Sequence, residues 1–199
     1  MKIGIVDYGA GNLFSVINAL KFLNCDYIVC DTVKKLSECD KIILPGVGAF
    51  AAAMESLEKT GFADYLRSLD SNTQLLGICL GMQLLFEKSY EFGEHNGLGL
   101  IPGCVRLIPQ NDGLRIPHLG WNEIVLNSED VMFSGMNRKF FYFIHSYYAD
   151  TDNAFVTSYT TYGKELTASV KRDNIRGVQF HPEKSGNDGI ELLRRFCSL

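Results

Sequence analysis

The sequence lacks any surplus of positive charge: 19 Lys and Arg stand against 23 Asp and Glu, a formal net charge of −4. With no dense basic run either, the electrostatic footprint of a nucleic-acid or anionic-membrane partner is missing. No apolar run approaches the roughly 20 residues that a helix needs to cross a bilayer. Only 5 of the 199 residues are proline, and no linker, repeat or low-complexity segment interrupts the chain. A content of 46% hydrophobic and 21% charged residues excludes a disordered chain. One domain over residues 1–199 is expected, long enough to bury a substantial core. The six cysteines (Cys25, Cys30, Cys39, Cys79, Cys104 and Cys197) contain no C-x-x-C spacing, so neither a zinc site nor a paired redox motif is expected. The start, Met1 to Asp7, reads as a strand and not as a signal peptide, which fits free thiols in a reducing cytoplasm. No metal and no other cofactor is called for.

What is present is an alternation of apolar runs and amphipathic helices in the first half. Lys2–Val6, Tyr27–Cys30, Lys41–Leu44 and Gln74–Ile78 read as continuous apolar strands, the pattern of a parallel sheet covered on both faces. Between them Leu13, Val16, Ile17 and Leu20 recur at helical spacing, and Ala49–Leu57 and Phe62–Leu69 supply further helical cover. Beyond about Gly97 the runs shorten to Cys104–Ile108, Glu123–Leu126, Phe140–Ser146, Ala154–Tyr159 and Leu166–Val170, read as antiparallel additions. Ile175–Phe180 reads as a late core strand ending at His181, and Asp188 is expected to cap a final helix packing through Ile190, Leu193 and Phe196. The fold class is therefore α/β: an open, mostly parallel sheet with flanking helices and extra antiparallel strands in the second half.

In such a sheet, ligands bind beyond the carboxyl ends of the strands, where Asp7, Pro45, Cys79 and His181 all fall. Cys79 follows an apolar run and precedes a helical pattern, Met82–Phe86, so it sits at a strand-to-helix turn. Gly77 and Gly81 on either side let so tight a turn close, as in a nucleophile elbow. A helix N-terminus there would favour the thiolate. His181 and Glu183, two residues apart, would point the same way in extended backbone, so that the carboxylate orients the imidazole. Cys79, His181 and Glu183 thus supply nucleophile, acid–base group and orienting carboxylate. The Leu80 amide is one oxyanion donor, and the turn Pro45-Gly46-Val47-Gly48 could aim a second. That turn lacks the lysine and Ser/Thr of a phosphate-binding P-loop.

These residues, together with Asp7-Tyr8-Gly9-Ala10-Gly11-Asn12, Gly77-Ile78-Cys79-Leu80-Gly81-Met82-Gln83, Pro117-His118-Leu119-Gly120-Trp121-Asn122, Tyr142 to Tyr148 and Gln179 to Ser185, resemble class I (triad) glutamine amidotransferases. More narrowly the chain is similar to the glutaminase subunits of imidazole glycerol phosphate synthases, over nearly its full length. The resemblance implies that Cys79 attacks the carboxamide of L-glutamine to give a glutamyl thioester and ammonia, with His181 and Glu183 completing the triad. It implies that Val47 supplies an oxyanion amide beside that of Leu80, after its peptide reorients. It further implies that Gly46, Gly48, Gln83, Glu91, Ser146 and Tyr147 hold glutamine, Glu91 facing the α-ammonium group. The implied partner is a (β/α)8 cyclase subunit in a heterodimer that receives the ammonia for histidine biosynthesis. Asn12, Trp121, Tyr142 and Lys184 would border it. His118 and His145 are expected in structural or interface roles, and His95 exposed. Where this family often carries arginine, the chain has Phe14, which leaves open a paralogous glutaminase feeding a surface-sugar amidotransferase. A separate reading, a binding subunit without turnover, has the intact Cys79, His181 and Glu183 against it.

Overall fold

Apolar runs in the first half become strands, the central three buried on both faces as their lack of polar alternation requires and Tyr27–Cys30 half-buried at the sheet edge. The computed structural model describes residues 1–110 and 113–199. The first half reads β1 (Ile3–Val6), α1 (Leu13–Phe22), β2 (Tyr27–Cys30), α2 (Val33–Leu36), β3 (Lys41–Gly46), α3 (Phe50–Lys59), α4 (Phe62–Arg67), β4 (Gln74–Cys79) and α5 (Leu80–Gln83). Then follow β5 (Phe86–Ser89), β6 (His95–Asn96), β7 (Ile101–Leu107), β8 (His118–Glu123), β9 (Val125–Leu126), β10 (Phe140–His145), β11 (Tyr147–Asp150), β12 (Val156–Tyr162), β13 (Lys164–Arg172), β14 (Ile175–Val178) and α6 (Gly186–Ser198).

The main sheet has the order β2-β1-β3-β4-β14-β13-β12-β9. Its first five strands run parallel and the last three are joined antiparallel. The expected open sheet with antiparallel additions is thus what forms. Alternate residues of the strands feed two cores. Ile42, Leu44 and Leu75 pack under α3 and α4 through Phe50, Leu57 and Phe62, while Ile3, Ile5, Ile43 and Leu76 pack under α1 and α6 through Leu20, Leu193 and Phe196. Buried Lys41 ties the sheet to α6, donating to the carbonyls of Phe196 at 3.2 Å and Cys197 at 2.6 Å, a cation on a helix C-terminus.

Three sequence expectations are corrected. The helix after Cys79 does not run through Met82–Phe86 but stops after one turn at Gln83. Leu84, Leu85 and Phe86 are all fully buried, more than one helix stripe can cover, and Phe86 instead opens a strand that pairs in parallel with β7. The last core strand ends at Val178, because Gln179 and His181 turn their amides to the carbonyls of Ala168 and Tyr142, at 2.8 and 2.9 Å. Asp188 does not cap α6. That helix starts at Gly186 after Ser185, and Asp188 lies in its first turn, 3.5 Å from Lys139, where a carboxylate still favours the helix dipole.

Two smaller sheets complete the molecule, β11-β7-β5-β6 and the antiparallel ribbon β10-β8. The ribbon puts Phe141, Phe143, His118 and His145 inward and Leu119, Trp121 and Ile144 outward. Among the described residues, no helix is long and apolar enough to cross a membrane.

Candidate active site

Strands β3 and β4 end side by side, with Gly46 in register with Cys79. The turn that follows Cys79 is possible only because backbone touches backbone. A Cβ on Gly81 would collide with the Leu44 carbonyl, and one on Gly46 would lie 2.7 Å from the Gly81 nitrogen. Cys79 itself is forced to φ 55° and ψ −111°, a conformation that side-chain-bearing residues rarely adopt and that costs on the order of 1–3 kcal/mol. The structure therefore forms the expected elbow. With α5 only four residues long, little macrodipole stands behind the thiol, so the helix support expected for a thiolate is weak.

His181 reaches the same place from β14. Its Nδ1 lies 2.7 Å from Glu183 Oε1, both side chains being almost wholly buried. The pair is joined by the short 3-10 turn Pro182–Lys184 and not by the extended backbone expected from sequence. Burial alone would depress the imidazole, but Cys79 and Glu183 outweigh it and push the His181 pKa up to about 10. Nε2 completes no hydrogen bond of full geometry within the protein, yet Cys79 stands close enough for hydrogen bonding and charge both to raise the imidazole. The Cys79 sulfur lies 3.9 Å from the Ile144 carbonyl and 3.7 Å from Gln179 Nε2. Neither Gln179 nor Tyr8 was singled out from the sequence, although both stand inside quoted motifs. Tyr8 donates to the Pro45 carbonyl at 3.0 Å and so anchors the Pro-Gly-Val-Gly turn. Burial, and then the charge of Cys79, raise its pKa far above the usual phenol range.

Cys79 and His181 open into a cleft of about 390 Å³ whose walls include Val47, Gly48, Leu80, Gln83, Glu91, Ser146 and Tyr147. Every glutamine and oxyanion candidate except Gly46 is on that wall; Gly46 lies behind, in the backbone packing of the elbow. Gln83 is buried, and its Nε2 donates to the Tyr147 carbonyl and to Gln179 Oε1, both at 3.0 Å, which leaves its Oε1 for a ligand. Glu91 sits on the loop after β5 and accepts from the Phe50 amide at 2.5 Å, closing the N-terminus of α3. Among the described residues, no group of three or more His, Cys, Asp or Glu could hold a metal ion.

The model of the family Glutamine amidotransferase class-I matches residues 4–198. The chain belongs to the class-I glutamine amidotransferase family. Among curated relatives of this amidotransferase, the imidazole glycerol phosphate synthase subunit HisH of Chlorobium luteolum is 47% identical, covering 97% of this chain and 98% of its own. The subunit of the same name from Bacillus thuringiensis subsp. konkukian is 45% identical, over 98% and 93%. A solved glutamine amidotransferase superposes with a TM-score of 0.77 over 98% of this chain and 97% of its own, at 20% identity, which speaks to the fold alone.

On the outer face of the amidotransferase near the site, Trp121 packs edge-on to Tyr142 with ring centroids 6.2 Å apart. The Lys184 ammonium lies 6.0 Å from the Tyr142 ring, so these three interface candidates form one cluster. Asn12 is engaged locally as the N-cap of α1, accepting from the Ser15 amide at 3.4 Å, and borders a narrow crevice with His181 and Glu183. His118 and His145 are buried and hydrogen-bonded to each other at 2.9 Å. His95 is half-buried, not exposed as expected.

Proposed function

We propose that this chain is the glutaminase subunit of an imidazole glycerol phosphate synthase, releasing ammonia from L-glutamine and passing it to a (β/α)8 cyclase subunit in histidine biosynthesis. The observation that carries the chemistry is that Cys79 and His181 both line the cleft, with Glu183 hydrogen-bonded to the far nitrogen of His181. The choice of synthase rests on relatives 43–47% identical over nearly the whole chain that bear its name. Phe14 is the departure that admits a surface-sugar synthase, and the names of these relatives outweigh it; the intact triad argues against a binding subunit without turnover.

In this reading the proton resides on His181, consistent with its raised pKa, and Cys79 attacks as the thiolate. The carboxamide carbon of glutamine gains the C–S bond. The oxyanion meets the Leu80 amide and, once the Val47 peptide reorients, a second amide in the Pro-Gly-Val-Gly turn. His181 Nε2 gives its proton to the departing nitrogen as the C–N bond breaks, releasing ammonia. Neutral His181 then takes a proton from water as the water oxygen bonds the thioester carbon; the C–S bond breaks, freeing glutamate and returning the Cys79 thiolate beside protonated His181. Glu183 holds the imidazole with Nε2 toward the sulfur throughout. Gln83 Oε1, the free oxygen of Glu91, Ser146 and Tyr147 hold glutamine, and Gly48 gives its backbone room to enter.

The test is Cys79→Ala, assayed for glutamate release with the cyclase subunit and its nucleotide acceptor present. Turnover should vanish while the partner still binds. Wild-type turnover would sink the nucleophile assignment. For the synthase, the measurement is which cyclase copurifies from the source cells; capture of a sugar-modifying synthase in its place would overturn that part.

A further inference from the structure

Gln179 is fully buried and stands between the thiol and the cleft wall. Which end of its amide faces the sulfur follows from its neighbours. The Tyr147 carbonyl can only accept, and it is met by Gln83 at 3.0 Å and by His145 Nδ1 at 2.8 Å. Gln83 must therefore turn its nitrogen to that carbonyl. The same nitrogen is 3.0 Å from the Gln179 side chain, which must answer with its oxygen. That leaves Gln179 Nε2 facing the Cys79 sulfur at 3.7 Å. The opposite assignment would set two donors against each other at the Gln83 contact, an arrangement that a dry interior does not tolerate.

The orientation has a chemical consequence. An amide oxygen at the sulfur would suit a thiol, whose hydrogen needs an acceptor; an amide N–H suits a thiolate, which only accepts. The acceptor available to the thiol is the Ile144 carbonyl, at 3.9 Å. We propose that Gln179 is a further catalytic residue, whose Nε2–H donates to the Cys79 thiolate and holds it for attack, locked in that sense by Gln83 and the Tyr147 carbonyl. The inference rests on the reading of Cys79 as the nucleophile.

The experiment is the rate at which iodoacetamide modifies Cys79 at pH 7, followed by peptide-resolved mass spectrometry so that the other five cysteines do not intrude, together with kcat and KM for glutamine in the complex. Gln179→Glu keeps the shape and replaces the donor with an acceptor. Gln179→Met keeps the length, adds no charge and removes the donor, so it decides the matter where a buried glutamate impairs folding. Loss of a hydrogen bond to a charged acceptor slows modification and kcat by roughly 10-fold or more, with KM changed by much less because the cleft wall is intact. Wild-type modification rates in folded Gln179→Met would overturn the role of Gln179. If Cys79→Ala is inactive at the same time, the nucleophile reading survives that failure. An active Cys79→Ala would bring down both.

Discussion

At Cys79 the backbone is strained at a turn that sets the residue on the cleft wall, and strain of this kind can be relieved by mutation. Glycine adopts φ 55°, ψ −111° freely, whereas alanine does not. Cys79→Gly is therefore expected to be more stable than Cys79→Ala in urea unfolding, by about 1 kcal/mol once the greater freedom of glycine in the unfolded chain is set against the roughly 1–3 kcal/mol of strain. Both variants should be inactive. Equal stabilities would mean that the elbow is relaxed and the conformation carries no cost. Glu183 is the other residue whose change separates effects. With its pKa raised to about 10, His181 contributes stability that is complete below the unfolded value near 6.5 and fades as pH rises through about 10. Glu183→Gln removes a charge that supports the imidazolium, so the decline in unfolding free energy over that window should shrink. Glutaminase kcat should fall by about 10²- to 10⁴-fold, the range for a displaced acid–base group. An unchanged alkaline profile would show that Glu183 does not hold the proton on His181.

Among the elements, the junction of β3, β4 and α5 has no slack. The collision that a Cβ on Gly81 would make is with the Leu44 backbone, which belongs to a central strand and cannot yield cheaply. Gly81→Ala should cost at least the upper part of the roughly 1–3 kcal/mol typical of overpacking, read as a lowered urea midpoint; a shift within error would show that the elbow can widen. This junction was legible in the sequence, because two glycines flanking a cysteine at fixed spacing after an apolar run fit little except a tight turn that presents the sulfur. The one-turn length of α5 was not, since Leu84, Leu85 and Phe86 fit a helix pattern until the small sheet that buries them is known. Nor was the turn joining His181 to Glu183, because a pair at i and i+2 meets equally well in a strand. The β8-β10 ribbon hides a further long-range device. His145 donates from Nδ1 to the Tyr147 carbonyl, so its Nε2 accepts from His118 Nδ1, and His118 Nε2 in turn faces the Asn122 amide at 3.4 Å. Burial depresses both imidazoles, His118 to about 4 and, with repulsion from His118 added, His145 to about 3. Nitrogen-15 spectra at pH 6 should show both rings neutral with the proton on Nδ1, the less usual tautomer. Because the unfolded chain binds these protons first, the pair should also erode stability as pH falls from about 6.5 toward 3. A proton found on His145 Nε2 would set it against the His118 Nδ1–H and overturn this assignment of the bonds that end on the Tyr147 carbonyl.

Across the whole molecule, the β8-β10 ribbon, whose Ile144 lines the cleft, carries an uncovered apolar face. The ribbon turns Leu119, Trp121, Phe140 and Ile144 outward, at 59%, 54%, 54% and 41% exposure, while its inner side is occupied by Phe141, Phe143 and the histidine pair. A surface that keeps aromatic and aliphatic groups together in water is the usual mark of an interaction site. Trp121 is the only tryptophan in the chain, which makes the docking of a cyclase directly observable. Titration with that subunit should move the Trp121 emission to shorter wavelength as water leaves the indole, in step with a rise in glutamine turnover. Trp121→Ala should weaken the complex by at least about 1–2 kcal/mol, as for a central aromatic anchor, and leave Cys79 as reactive toward iodoacetamide as in the wild type. Activation with no change in emission would place the docking surface elsewhere, and would leave the exposed ribbon without an occupant.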